Sequence, residues 1–434
     1  MIGYAGLSHL GVVSSAAAAD KRFDVVAYDP DAALCANLAA GRTAVIEPGL
    51  ADLLARVRDR LQVTSDAAAL AQCEVIYISA DVPTTDDHRS DVTPVRDLIA
   101  TVARAAAPST SIVILSQVAP GFTRSLRETV ESGYGRPLSL FYQVETLAFG
   151  TAVGRALHPE RFIIGCADPG AALPAPLARF LDAFGCPVLP MRYESAELCK
   201  ISINMFLAAS LSTTNMLAEI CEAIGAEWRE IVPALRLDRR IGQHAYLDAG
   251  LGIGGGNITR DMATIQHLAR EHGSDAQLVD VWAASSAYRR DWALRTLHRE
   301  SLSRIAAPVI ALWGLAYKEN TGVTKNSPAL ALTSALEGAT IRAFDPEVDA
   351  HAVAGLVACG DALDACAGAD ALAVMTPWPQ FAGVDLHEVR RRMRGRLIVD
   401  PVGRLDGPAA AALGFDYWRL GTGVPRAMET AARC

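Results

Sequence analysis

A glycine-rich turn near the N-terminus constrains the fold more than any other feature of this sequence. Residues 6–11 (GLSHLG) match G-x-G-x-x-G with Ser8 at the middle glycine position, and they lie between an apolar run and an alanine-rich helical pattern. In a strand–turn–helix unit, Gly6 permits the tight turn and Gly11 lets the helix pack closely on the strand. The free N–H groups at the start of such a helix bind phosphates, so the pattern predicts a dinucleotide site.

An acidic residue follows at the spacing that such a site requires. Asp29 ends the next apolar run, about 20 residues after the glycines, where a carboxylate accepts from a ribose 2′-OH and repels a 2′-phosphate. This favours NAD over NADP as cofactor. On these residues alone, the alternative is an α/β start that binds no nucleotide. The cofactor-binding residues predicted from the pattern are Gly6, Ser8, His9, Leu10, Gly11 and Asp29.

Strand and helix patterns alternate in both outer parts of the chain, which predicts doubly wound parallel sheets. Between several of the first strands lie segments of helical period, such as residues 95–107. The strands predicted first are residues 1–5, 24–28, 74–79, 111–116, 139–143 and 161–165. Those predicted for a second, smaller α/β domain are residues 308–313, 340–344, 371–375 and 396–400.

The middle of the chain shows little strand signal. Residues 195–224 form one long helical pattern without Pro or internal Gly, and Gly225 is a typical C-terminal stop. Such a helix suits a spine between two lobes or a dimer interface, with a plain core helix as the alternative. The predicted fold class is α/β: two Rossmann-like doubly wound domains joined by a long central helix and a helical middle domain. The predicted boundaries are residues 1–192, 193–300 and 301–434.

Composition limits the classes of function. The 434 residues exceed one ordinary hydrophobic core, and a net charge of -8 argues against nucleic acid as the main partner. Nine scattered cysteines without a CxxC pair fit a reducing compartment, and the nine histidines show no metal-ligand spacing. We therefore expect no bound metal.

The N-terminus superficially resembles a signal peptide because it is apolar and rich in alanine. No Lys or Arg precedes Lys21, so the positive region of a signal peptide is missing. We also expect no apolar run long enough to span a bilayer. The sequence therefore predicts a soluble, cytoplasmic protein without a membrane partner.

Six stretches resemble motifs of the UDP-glucose/GDP-mannose dehydrogenase family, in the family's order and over nearly the whole chain. The resemblance implies NAD in the N-terminal domain, a sugar nucleotide bound mainly by the C-terminal domain, and a homodimer formed by the central helix. The stretches are residues 47–50 (EPGL), Pro83 and Thr84 with Asp91, residues 195–204 (SAELCKISIN), 238–242 (DRRIG), 314–321 (GLAYKENT) with Ser327 and Pro328, and 376–381 (TPWPQF).

The resemblance also implies a reaction. Family members oxidise a primary alcohol at C6 twice, to an acid, and a cysteine holds the intermediate aldehyde as a thiohemiacetal. Residues 254–261 (GGGNITRD) match the family segment G-G-S-C-F-P-K-D, so Asn257 stands at the cysteine position. An amide cannot form the covalent adduct. Gln117 also replaces a family Thr, and Phe149 replaces an acidic residue.

The remaining family positions keep groups that suit proton transfer. Lys200 and Asn204 are four residues apart and share a helix face, and a lysine near a developing alkoxide stabilises it or relays its proton. Glu145 and Asp261 match positions that order water and assist proton transfer, although each taken singly is more often a surface charge. Cys199 points about 100° away from Lys200 around the helix, so a structural role is favoured. The implied catalytic residues are Lys200, Asn204, Asp261, Glu145 and Asn257.

Contacts to the ligands are implied in the same way. Lys318 resembles a lysine that contacts the substrate, Arg240 an arginine that reaches it across the dimer, and Arg404 an arginine of a D-x-R motif with stretched spacing. Lys325 is assigned to the cofactor and replaces an arginine, which keeps the charge but loses a planar fork. The implied substrate-binding residues are Arg240, Gly254, Gly255, Lys318 and Arg404.

Without the thiol, the expected reaction is a two-electron oxidation of an alcohol to a carbonyl by NAD. Transient oxidation followed by re-reduction, which yields an epimer, is an alternative that the sequence leaves open. A second alternative is a catalytically inactive family member that binds a nucleotide sugar as a regulatory or partner subunit. Full oxidation through a water-mediated hydrate is a third. The base, the sugar and the oxidised carbon stay open.

Overall fold

The computed structural model describes residues 1–43, 45–83, 90–134 and 138–423. The chain forms two compact units, Met1–Ile203 and Asn204–Cys434, which are named the first and the second unit. Thr84, part of one family-like motif, lies outside the described residues. The prediction of three domains stays a prediction, because this division into two units neither follows nor contradicts its boundaries.

The first unit is built on an eight-stranded sheet in the order β3-β2-β1-β4-β5-β6-β7-β8. β1, β2, β4 and β5 are buried along their whole length, as expected for parallel strands covered on both faces. The strands are β1 (Ile2–Ala5), β2 (Val25–Tyr28), β3 (Leu61–Thr64), β4 (Val75–Ile78), β5 (Ser111–Ile114), β6 (Ser139–Gln143), β7 (Phe162–Cys166) and β8 (Val188–Arg192). All six predicted strands are present.

Two features of this sheet differ from the prediction. β3 and β8 were not predicted; they are edge strands with partly exposed residues, and β8 contains Pro190, which weakens a strand pattern. β6 and β7 pair antiparallel, whereas a fully parallel sheet was expected. The pattern of apolar residues marks where a strand lies but not its direction, so this reversal was not predicted.

Among the described residues before position 193, seven α-helices accompany this sheet. Two separate hydrophobic clusters cover its two faces. The alanine-rich run near the N-terminus is the buried first helix, where Ala16, Ala17, Ala18 and Ala19 are at most 2% exposed. Their small side chains allow the close approach that Gly11 begins. The helices are α1 (His9–Asp20), α2 (Ala32–Ala39), α3 (Leu50–Val57), α4 (Thr93–Ala105), α5 (Phe122–Tyr134), α6 (Ala152–Leu157) and α7 (Ala175–Asp182).

The predicted long helix is present as α8 (Tyr193–Ile224), 32 residues without a break. Gly225 follows it with φ +82°, so glycine provides the predicted stop. Among the described residues, α8 reaches the length and mean hydropathy, 1.2, of a membrane span, so the expectation that no run is long enough was wrong. A core helix of a soluble protein passes the same test, and α8 carries Glu194, Glu197 and Lys200 in its first turns.

The second unit combines helices with a six-stranded sheet. Its helices before the sheet are α9 (Trp228–Leu237), α10 (Asn257–His272), α11 (Gln277–Arg290) and α12 (Trp292–Glu300). The sheet has the order β11-β10-β9-β12-β13-β14, and every pair is parallel. Its strands are β9 (Val309–Trp313), β10 (Thr340–Phe344), β11 (Leu356–Ala358), β12 (Ala371–Val374), β13 (Leu397–Val399) and β14 (Asp416–Trp418).

The second sheet confirms the predicted second Rossmann-like sheet. The four predicted strands are observed, and the two that were not predicted, β11 and β14, are again short edge strands. Two hydrophobic clusters lie on its faces. The remaining helices are α13 (Pro328–Ala335), α14 (Ala362–Ala365), α15 (Leu386–Arg392) and α16 (Gly407–Ala412).

Candidate active site

The glycine-rich turn joins β1 to α1 at the point where the strand order of the first sheet reverses, between β1 and β4. Ligands of doubly wound sheets bind at the carboxyl ends of the strands at this point. Gly6 has φ +97°, and a Cβ there would lie 2.7 Å from the backbone N of Ala80. A Cβ on Gly11 would lie 1.9 Å from the carbonyl oxygen of Gly6. Both glycines are therefore required by the backbone, as predicted.

Ser8 at the middle position is accommodated without strain. It is the N-cap of α1 with φ -68°, a conformation open to any residue. Its hydroxyl donates to the carbonyl of Ser79 at 2.9 Å, so the side chain is bonded to the end of β4. The N–H groups of the first turn of α1, among them those of His9 and Leu10, have no helical acceptor, which suits a phosphate.

Asp29 lies at the end of β2, where the sequence predicted it. Its Oδ2 accepts from the N–H of Leu7 at 2.8 Å and its Oδ1 from the N–H of Asp31 at 3.0 Å. A carboxylate has about four lone-pair positions. Asp29 is partly exposed, so it can accept further hydrogen bonds from a ribose.

Glu47, to which the sequence assigned no role, is bonded to the same turn. Its carboxylate is fully buried, and Oε2 lies 3.0 Å from Nε2 of His9. It also accepts from the N–H groups of Gly150 and Ala152, at 2.9 and 2.7 Å. The EPGL motif drew attention to this position, but its partners lie 38 and more than 100 residues away and left no local signal.

Lys200 and Glu145 are brought together in the first unit. Lys200 Nζ lies 3.8 Å from Glu145 Oε2, and their side chains are 10% and 17% exposed. The N–H of Leu147 donates to Glu145 Oε1 and holds the carboxylate in place. Two opposite charges this close and this shielded interact more strongly than a surface pair. The pair can therefore exchange a proton with a bound hydroxyl group.

Glu197, one turn before Lys200 on α8, anchors the helix. It is fully buried and accepts from the N–H groups of Gly121 at 2.6 Å and Thr123 at 2.9 Å. Burial raises the pKa of its carboxyl. Glu197 thus ties α8 to the start of α5, a link that sequence analysis missed because both partners are backbone groups.

Asn204 and Asp261 are paired in the second unit. Asn204 Nδ2 donates to Asp261 Oδ2 at 2.6 Å, and the residues are 7% and 1% exposed. Arg260 Nε lies 3.7 Å from the other oxygen of Asp261. The carboxylate fixes the orientation of the Asn204 amide, which leaves its Oδ1 and its second N–H for other partners.

The glycine loop, residues 254–256, lies against residues 317–326. A Cβ on Gly255, which has φ +74°, would lie 2.9 Å from Cε2 of Tyr317, and a Cβ on Gly256 would lie 3.3 Å from Cδ of Lys325. Asn326 Nδ2 donates to the carbonyl of Gly255 at 2.7 Å. A Cβ on Gly254 would lie 3.3 Å from Cδ2 of Tyr317. A side chain would be strained at Gly255, whose φ is positive, and would have to displace its neighbours at Gly254 and Gly256.

Asn257 is the first residue of α10 and is exposed. It precedes Asp261 by one helical turn, so both project from the same side of α10. Tyr317 lies beneath the loop, and burial raises its pKa to about 12. Lys318 Nζ lies 5.6 Å from the ring centroid of Tyr317. Gly254, Gly255, Lys318 and Lys325 therefore belong to one region of the second unit.

The two remaining predicted arginines have other partners. Arg240 pairs with Asp238 at 2.6 Å, and its side chain is 89% exposed. Arg404 Nε donates to the carbonyl of Trp378 at 3.0 Å. Their assignment to the substrate stays a prediction.

The described residues contain eight free cysteines and no group of three or more His, Cys, Asp or Glu side chains that could hold a metal. Cys199 is partly buried and packs against one of the two hydrophobic clusters of the first unit. Burial raises the pKa of Cys73 to about 11 and of Cys366 to about 12, which disfavours the thiolate.

A glycine-rich turn at the switch point of a doubly wound sheet is typical of proteins that bind dinucleotides. Residues 1–179 match the NAD binding domain of the UDP-glucose/GDP-mannose dehydrogenase family, residues 194–286 its central domain and residues 311–407 its UDP binding domain. The chain belongs to this family, which confirms the resemblance, and its first unit carries the family's NAD binding domain.

Individual relatives agree along the whole length. The chain is 32% identical to the UDP-glucose 6-dehydrogenase of Pseudomonas aeruginosa over 448 residues, 97% of each chain. It is 32% identical to the UDP-glucose 6-dehydrogenase AglM of Haloferax volcanii over 91% of this chain and 95% of the relative. The structure of a UDP-glucose dehydrogenase from Pyrobaculum islandicum superposes with a TM-score of 0.85 at 27% identity, covering 98% of both chains. The predicted fold class is confirmed.

Proposed function

We propose that this protein oxidises an alcohol of a sugar nucleotide to a carbonyl in a single NAD-dependent step and does not continue to the acid. The proposal rests on Asn257, the first residue of α10, which the resemblance to the family assigns to the position of the catalytic cysteine. Its amide is not a nucleophile that can hold an aldehyde covalently. The exposed position of Asn257 beside the glycine loop suits a polar contact to substrate instead.

The fit of the first unit to NAD supports the cofactor's role. Gly6 and Gly11 leave a cradle that a Cβ would fill, and the first turn of α1 offers backbone N–H groups for the pyrophosphate. Asp29 has lone pairs for the adenosine ribose. When bound, NAD accepts the hydride that leaves the alcohol carbon.

The proton of the alcohol needs an acceptor. We assign this task to the Lys200–Glu145 pair, whose charged groups lie 3.8 Å apart. As the C–H bond breaks, the lysine ammonium stabilises the growing negative charge on oxygen and the glutamate takes up the proton released by the hydroxyl. Each turnover thus removes one hydride and one proton and leaves a carbonyl.

The second unit supplies groups for the sugar nucleotide. The Asn204 amide, oriented by Asp261, can donate to and accept from sugar hydroxyls. Lys318, Arg240 and Arg404 provide positive charge for the phosphates of the sugar nucleotide, and Lys325 provides it for the cofactor. We also propose a homodimer formed through α8, because Phe206 is 81% exposed and Met216, Ile220 and Ile224 are 46% to 59% exposed along one face. A charge at Phe206 should then reduce the molar mass measured by light scattering to that of a monomer.

The test follows the absorbance of reduced nicotinamide with a panel of UDP- and GDP-sugars, and analyses the products by mass spectrometry. We expect a product lighter by two hydrogens. Asn257→Cys should then produce some of the corresponding acid. A wild-type product that is the acid would contradict the proposal.

Two other results would identify alternative functions. A product of unchanged mass but new stereochemistry, with no net reduction of NAD, would indicate epimerisation. No product with any sugar nucleotide, although NAD binds, would indicate an inactive binding subunit.

Lys200 offers a sharper test of the mechanism. Lys200→Met should lower kcat by about 100-fold or more, because general acid–base groups contribute factors of this size. The control is Lys21→Met in the same unit, whose ammonium packs over Phe184. Equal kcat values for both variants would exclude Lys200 from catalysis.

A further inference from the structure

Glu47 joins two segments of the first unit to which the proposed function gives separate tasks. Its carboxylate is fully buried and is held by His9 Nε2 at 3.0 Å, Gly150 N at 2.9 Å and Ala152 N at 2.7 Å. With a carboxylate as acceptor, the imidazole carries its hydrogen on Nε2. Charge-assisted hydrogen bonds from three sides leave this carboxylate one orientation.

The donors come from different parts of the candidate site. His9 is the first residue of α1, directly after the glycine-rich turn whose N–H groups suit the phosphates of NAD. Gly150 and Ala152 follow the segment that carries Glu145, and Glu145 pairs with Lys200. One buried side chain therefore connects the NAD turn with the segment of the proton acceptor.

Phe149 completes the connection. Its ring centroid lies 4.3 Å from that of His9, with the planes tilted by 37°. The family pattern has an acidic residue at this position, which would add a negative charge beside the His9–Glu47 pair. The phenyl ring instead packs against the imidazole ring and limits its rotation. Phe149 and Glu47 together therefore restrict the imidazole to a single position at the start of α1.

We propose that Glu47 is a positioning residue for this enzyme: through His9 and the backbone of residues 150–152, it makes NAD binding and the placement of Glu145 depend on each other. The part that concerns Glu145 rests on the proposed function. The part that concerns NAD affinity does not, because it is measured by binding alone.

The first experiment compares Glu47→Gln with Glu74→Gln by isothermal titration calorimetry with NAD. In Glu47→Gln the side-chain amide turns an NH2 group toward at least one of the three donors, so the link breaks while the size is kept. We expect the Kd for NAD to rise roughly 10- to 100-fold, the range for a lost charge-assisted hydrogen bond. Glu74 is exposed and pairs with the N-terminal amine and Arg179, so its variant should bind NAD like the wild type. A wild-type Kd for folded Glu47→Gln would overturn the proposal.

Variants of His9 separate positioning from a general loss of stability. His9→Phe keeps an aromatic ring against Phe149 but removes the donor to Glu47, so it should weaken NAD binding about as much as Glu47→Gln. His9→Gln restores an N–H donor and should recover most of the affinity. If both His9 variants bind NAD equally well, Glu47 does not act through the imidazole and the proposal is wrong.

Kinetics with an accepted sugar nucleotide test the link to Glu145. At saturating NAD, Glu47→Gln should lower kcat because the Glu145 segment is released. His9→Phe should chiefly raise the KM for NAD and leave kcat closer to the wild type. A purely structural role would lower the melting temperature of both variants without this split. If no sugar nucleotide is turned over, the proposed function fails while the NAD affinities still decide the role of Glu47.

Discussion

The two sheets of this protein start with the same local arrangement and use it differently. In each, a glycine of positive φ follows the central strand, Gly6 at +97° and Gly314 at +93°. In each, an aspartate at the end of the neighbouring strand accepts from the next N–H: Leu7 to Asp29 at 2.8 Å, and Leu315 to Asp345 at 2.6 Å. The strand–turn–aspartate motif therefore stabilises the turn in both sheets, whether or not a ligand binds there.

The segments after the two turns distinguish them. After Gly6, α1 begins within three residues and directs its free N–H groups at the turn; after Gly314, the next helix begins at Pro328. Asp29 has two backbone donors and stays partly exposed. Asp345 is 7% exposed and also accepts from Ala316, Glu347 and Val348 N–H groups and from Trp378 Nε1. Asp345 has no capacity left for a ribose, so the second turn is structural.

The largest effect that tests this comparison is on stability. Asp345→Ala leaves five donors without their acceptor, three of them in the buried residues Leu315, Ala316 and Trp378. It should lower the free energy of unfolding by about 4 kcal/mol in urea titrations. Asp349→Ala, which removes an exposed acceptor of one N–H, is the control and should cost about 1 kcal/mol or less. Equal losses of unfolding free energy in the two variants would show that the hydrogen bonds of Asp345 do not stabilise the fold.

The next effect is on cofactor affinity. Asp29→Asn keeps an oxygen for the N–H of Leu7 but loses the charge that accepts from a ribose, so NAD should bind about tenfold more weakly. The ratio of the Kd values for NADP and NAD should also decrease in this variant, since the carboxylate that repels a 2′-phosphate is gone. Calorimetric titration with both nucleotides measures the two changes. An unchanged ratio of the two Kd values would mean that Asp29 does not contact the ribose.

A smaller effect is expected in the pH dependence of stability. Asp400, at the end of β13, is buried, and burial raises the pKa of its carboxyl. Its stabilising contribution is therefore complete below the ordinary aspartate pKa and is lost as the pH rises through the raised value, because the folded state then releases a proton it had retained. Relative to Asp400→Asn, the wild type should lose stability with rising pH in urea titrations. A constant difference between the two proteins would contradict this.

The smallest effect concerns the middle glycine position. Ser8 has φ -68° and bonds to Ser79, so its side chain already accommodates the turn. Ser8→Gly should change the Kd for NAD by no more than about threefold, since one neutral hydrogen bond of modest net value is lost. Tenfold tighter binding by this variant would show that the serine obstructs the cofactor.

Much of the fold could be predicted because its signals are local. Buried parallel strands gave continuous apolar runs, and α8 gave an unbroken helical pattern with a glycine stop. The missed strands β3, β8, β11 and β14 all lie at sheet edges, where partial exposure weakens the pattern. The antiparallel pairing of β6 and β7 was missed because strand direction depends on where the chain returns, not on composition.

A few consecutive residues were enough to show where the first turn needs glycine and that Asp29 ends the neighbouring strand, since turn conformation and strand ends are local properties. Tertiary structure alone decided which distant groups meet. Asn204 found Asp261 57 residues away, and Glu47 found His9 and the N–H of Gly150, the latter 103 residues away. Such pairs depend on how whole segments pack, and a buried carboxylate accepts whichever donors that packing brings within reach.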